Sequence, residues 1–68
     1  MAKGIISARP STNKPGLINV VNDDDYSPTG KTVKYVERST AEVNNLVEFT
    51  ISDVDGMAVN IRVIRPNT

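Results

Sequence analysis

Apolar residues along this chain fall in short runs that alternate with polar ones at a spacing of two, the pattern of strands with one buried face. Five such runs are present: Lys3 to Ala8, Gly16 to Val21, Lys31 to Val36, Leu46 to Ser52 and Met57 to Ile64. Val, Ile and Thr dominate them, and β-branched side chains suit a pleated surface. In the fourth run Val47, Phe49 and Ile51 alternate with Glu48, Thr50 and Ser52. In the fifth, Met57, Val59, Ile61 and Val63 alternate with Ala58, Asn60 and Arg62. The pattern predicts that Phe49 points into a core and that Ala58, Asn60 and Arg62 point out.

Turn-forming residues separate the runs. Arg9-Pro10-Ser11-Thr12-Asn13-Lys14-Pro15 breaks the first from the second, because each proline lacks a backbone donor. Asn22 to Gly30 reads as a long loop. Glu37 to Asn45 is poor in apolar residues; Ser39-Thr40-Ala41-Glu42 within it is a weak capping-box pattern, too short to hold a helix alone. Asp53-Val54-Asp55-Gly56 is a hairpin turn, with Asp-Gly accepting positive φ. The prediction is an all-β chain, a five-stranded antiparallel Greek-key barrel of the OB-fold type. An SH3-like barrel and an open β-sandwich fragment have the same periodicity.

A chain of 68 residues makes one domain, 1–68. At this size folding buries only about 60% of the surface that the unfolded chain exposes, so a compact core or self-association must supply stability. No cysteine or histidine is present, which removes disulfides and the commonest zinc ligands. The start, Met1 to Ser7, lacks the roughly 7–15 apolar residues of a signal peptide, and no run approaches the roughly 20 of a membrane span. The expectation is a cytoplasmic protein with no membrane partner.

Eight basic and eight acidic residues cancel, which argues against binding of nucleic acid by bulk charge. Their distribution is uneven. Lys3, Arg9 and Lys14 near the start and Arg62 and Arg65 near the end have no acid among them, whereas Asp23-Asp24-Asp25 form an acidic knot. If the two ends lie on adjacent strands they form one modest basic face; a solvated surface of mixed charge is the alternative.

The order of elements resembles a cold-shock domain, the five-stranded bacterial OB-fold. Lys3-Gly4-Ile5-Ile6 is similar to the family's first strand. Lys14-Pro15-Gly16-Leu17-Ile18 sits where the family has its Lys-Gly-Phe-Gly-Phe-Ile motif, and Thr32-Val33-Lys34-Tyr35-Val36 where Val-Phe-Val-His-Phe belongs. Val47-Glu48-Phe49-Thr50-Ile51 matches the fourth strand, and Gly56-Met57-Ala58-Val59-Asn60-Ile61 resembles the closing one. The resemblance implies binding of single-stranded RNA or DNA by stacking bases on exposed rings, each worth about 1–3 kcal/mol. Here the rings are mostly missing: Ala8 stands where the family has tryptophan, and Pro15 and Leu17 fall near its two phenylalanines.

What the resemblance leaves is weak binding by backbone charge neutralisation with limited stacking. Lys14, Leu17, Lys34 and Tyr35 would be central, with Lys3, Arg9 and Arg62 around them. A half-buried tyrosine is the alternative for Tyr35, and a packing or partner-contact role is expected for Tyr26. The competing expectation for the whole chain is a protein-interaction module, with a homodimer as one version, and Leu17, Val36 and neighbouring apolar residues in its contact patch.

Other chemistry finds little support. Gly30-Lys31-Thr32 would need a glycine at Asp25 to form a phosphate loop. Three consecutive aspartates lack the alternate spacing of a calcium loop. No nucleophile, base and acid fall in a recognisable arrangement, so no enzyme, cofactor, metal or small-molecule substrate is expected.

Overall fold

The computed structural model describes residues 2–37 and 41–65. Five strands form one antiparallel sheet: β1 (Ala2–Ala8), β2 (Gly16–Val21), β3 (Pro28–Tyr35), β4 (Leu46–Ile51) and β5 (Ala58–Arg65), in the order β3-β2-β1-β4-β5. No helix occurs among the described residues, so none there is long and apolar enough to cross a membrane. The expected capping box at Ser39–Glu42 lies partly outside the described residues; Ala41 and Glu42 are not helical.

Strand β1 is the central one and pairs on both sides, Gly4 with Val20 of β2 and with Val47 of β4. A Cβ at Gly4 would stand 2.4 Å from Ile18 Cγ2 and 2.7 Å from the Asn19 carbonyl oxygen. Glycine is required there because the strands approach too closely for a side chain.

Register assigns the two faces. The inner rows run Ile6–Ile18–Val33 and Val20–Gly4–Val47–Val63, with Ala2 beside Phe49. Ile6, Ile18, Tyr35, Ala41, Val47, Phe49 and Ala58 close this core, with Ala2, Val20, Val33, Ile61 and Val63 packed against it. Phe49 is fully buried, as the alternation predicts.

Bulges shift the phase of the alternation. Thr50 pairs with Val59 and Glu48 with Arg62, so Asn60 and Ile61 together face Phe49. Asn60 takes a left-handed conformation, φ 55°, to absorb the extra residue. Ala58, expected outside, is consequently in the core at 1% exposure, while Ile61 and Val63 beyond the bulge keep the predicted inward sense. Strand β3 begins three residues before the predicted start because Gly30, at φ 81°, carries an irregularity inside the strand rather than ending a loop. Val36 falls outside β3.

The two edge strands meet without a ladder between them. Glu37, two residues after the end of β3, accepts the backbone N–H of Asn60 at 2.9 Å on one carboxylate oxygen and that of Ile61 at 3.0 Å on the other. The bulge turns these two successive donors toward the same carboxylate. The sheet is therefore open in its hydrogen bonding yet tied across its gap.

Candidate nucleic-acid interface

Pleating sends to the outer face the residues that the core does not use. Leu17 of β2 pairs with Ala8 of β1 and Lys34 of β3. Lys34 is exposed and Leu17 half-buried. The β1–β2 connection adjoins this row and presents exposed Arg9 and Lys14. It is closed on itself: the Ser11 N–H donates to the Lys14 carbonyl at 2.9 Å, and the Lys14 N–H to the Ser11 carbonyl at 3.4 Å. Arg9, Lys14, Leu17 and Lys34 thus gather at one end of the three-stranded half.

Tyr35 does not join them. It pairs with Gly16 but points inward, and only 1% of it is exposed. A Cβ on Gly16 would lie 2.4 Å from the Tyr35 ring, so the absence of a side chain at Gly16 is what admits the ring to the core. No base can stack on a ring held there, which corrects the expectation of a stacking Tyr35. Its hydroxyl is buried with no hydrogen-bond partner among the described residues. Burial pushes the phenol's pKa above its ordinary 10.0, an effect the Arg9 charge partly opposes.

Arg62 is also engaged. Its guanidinium ion-pairs with Glu48, which lies beside it across the β4–β5 ladder. Glu48 in turn lies beside Lys3 on β1. The expected rim cation therefore has its charge matched within the sheet. Lys3 is half-buried on this row, with its ammonium 5.8 Å from the centre of the Tyr26 ring.

Tyr26, for which the sequence gives a packing or partner-contact role, and Arg65, which it counts only among the cations near the end, meet in the structure. Tyr26 sits in the β2–β3 turn. That turn is closed by the Asn22 N–H donating to the Ser27 carbonyl at 2.9 Å and the Tyr26 N–H donating to the Asn22 carbonyl at 3.0 Å. Asp25 accepts the Ser27 N–H at 3.0 Å, and this bond holds its carboxyl pKa below the ordinary 3.8. Arg65 of β5 places its guanidinium 5.6 Å from the Tyr26 ring centre. Both cations are within the roughly 6 Å at which a ring attracts positive charge. Nothing in the spacing of Tyr26 and Arg65 signals the contact, since the sheet order brings residues 3, 26 and 65 together.

Charge is segregated across the fold. Strands β1, β2 and β3 and the β1–β2 connection contain Lys3, Arg9, Lys14, Lys31 and Lys34 and no carboxylate. The acids lie in the β2–β3 turn, after β3 and on the β4–β5 half; of these, Glu37 after β3 and Glu48 on β4 are already partnered.

No known protein family, curated protein or solved structure matches the chain.

Proposed function

We propose that the sheet is a partly open OB-type barrel and that its β1–β3 face binds single-stranded RNA or DNA weakly. Three features support the architecture: the strand order, the bulges that coil individual strands, and the Glu37 bridge across the gap between β3 and β5. The binding reading rests on the segregation of charge. Arg9, Lys14 and Lys34, gathered at one end of three strands whose residues and first connection include no acid, make a local positive surface on a chain of zero net charge.

The mode is backbone neutralisation. Lys34, Lys14 and Arg9 take phosphates, and Leu17 offers an apolar contact to a base beside Lys34. Such binding depends steeply on salt, with the logarithm of affinity falling by about 0.7 per phosphate neutralised for each unit in the logarithm of salt.

Fluorescence anisotropy with a short labelled oligothymidylate and an oligouridylate, at low and at physiological salt, tests it. Binding at low salt that weakens as salt rises is expected, with Lys34→Gln and Lys14→Gln each lowering the salt slope. A protein that leaves both probes free at low salt refutes it. Sedimentation of the protein alone reports whether a second copy competes for the same face.

A further inference from the structure

The β1–β3 face lacks an exposed ring of its own, but one stands at its border. Tyr26 is 36% exposed and lies within cation–π distance of Lys3 and Arg65. We propose that Tyr26 is the stacking residue of this protein: a base of a single-stranded nucleic acid displaces the cations that lie over its ring, and Lys3 and Arg65 turn to the flanking phosphates. This rests on the nucleic-acid reading above and gives it a site which that reading does not contain.

Three observations converge on it. First, the backbone at Tyr26 is left-handed, φ 60°. A bulky residue rarely adopts that conformation, which glycine or asparagine would take at less cost, and such strain gathers at functional positions. Second, Lys3 and Arg65 have no carboxylate partner among the described residues, unlike Arg62. Two cations each within 6 Å of one ring centre stand at most about 11 Å apart, a span that neighbouring phosphates of an extended strand can bridge. Third, Lys3 belongs to β1, so the site is continuous with the positive face rather than separate from it.

The acidic turn sets the direction of approach. Asp23, Asp24 and Asp25 are all exposed, and the Ser27 N–H bonded to Asp25 leaves it ionised, so all three repel a backbone that passes over the tip.

A ring that merely pins the turn to the sheet would behave differently from one that stacks a base, and Tyr26→Gly separates the two. Glycine relieves the left-handed strain, so thermal stability should hold within a few degrees. Affinity for the labelled oligothymidylate should fall about tenfold, the loss of one stacked base. Tyr26→Phe should bind as the unaltered protein does. Lys3→Gln and Arg65→Gln should each reduce the salt slope by about 0.7. Oligouridylate run in parallel distinguishes an RNA from a DNA ligand. If the unaltered protein binds and Tyr26→Gly binds equally well, this site is refuted while the charged face stands. If the unaltered protein does not bind, both fall together.

Discussion

Glu37 and Asn60 are joined across the gap between the two edge strands, the carboxylate of one accepting the backbone N–H of the other at 2.9 Å. With the second bond to Ile61, this one side chain does the work that a ladder would do in a closed sheet. Glu37→Ala leaves two bulge donors without that partner and is expected to cost about 2 kcal/mol; Glu37→Gln keeps one acceptor oxygen and should cost about half as much. Urea unfolding measures the difference. Amide hydrogen exchange should accelerate at Asn60 and Ile61 while Val47, in the middle of the sheet, keeps its protection.

Tyr35→Phe removes a buried hydroxyl that has no partner among the described residues, so the variant is expected to be at least as stable as the parent, by up to about 1–3 kcal/mol. The pH dependence follows from the raised phenol pKa. A folded-state value above the unfolded one means that the protonated phenol's contribution is complete below about pH 10 and is lost as pH climbs through the folded-state pKa. Denaturation curves collected at increasing alkaline pH should show the parent losing stability there and Tyr35→Phe losing less. Arg9→Gln should move the Tyr35 ionisation to higher pH still, because the charge that favours the phenolate is gone.

Gly4→Ala should be severe for its size. The added methyl meets the Asn19 carbonyl oxygen at 2.7 Å, and that backbone belongs to a strand paired on both sides. A loss of about 3 kcal/mol is expected, at the upper end of the cost of overpacking. Combining it with Ile18→Ala relieves the 2.4 Å contact with the Ile18 side chain but not the contact with the carbonyl. Thermal melts of both single variants and the double should therefore show partial coupling, not full rescue.

Phe49→Ala empties the centre of the core and should cost about 3–5 kcal/mol. Small domains hold little more than that in total, so circular dichroism should find the variant largely unfolded at room temperature. Phe49→Leu should remain folded with a lowered melting temperature.

The strands were legible because β-branched alternation and turn residues act locally. Leu46 to Ile51 and Gly16 to Val21 need no tertiary information to be recognised. Two things escaped the pattern. Phase along β5 depends on the bulge at Asn60, which a period of two does not reveal, and so Ala58 was assigned to the wrong face. The direction of Tyr35 depends on the space above Gly16, a residue on another strand. The candidate site was only half readable for the same reason. Lys14, Leu17 and Lys34 share one end of the sheet through neighbouring strands, whereas Tyr26 meets Lys3 and Arg65 only once five strands are ordered.

The irregular backbone at Gly30 and Asn60 falls on the two strands that border the sheet. A neighbouring molecule that tried to extend the sheet would meet a left-handed kink on either margin, and on one margin two donors already taken by Glu37. Fibril growth by strand addition needs a straight, unoccupied rim, and neither border supplies one. The interruptions that shape the fold thus also guard a small chain of zero net charge against polymerising with itself.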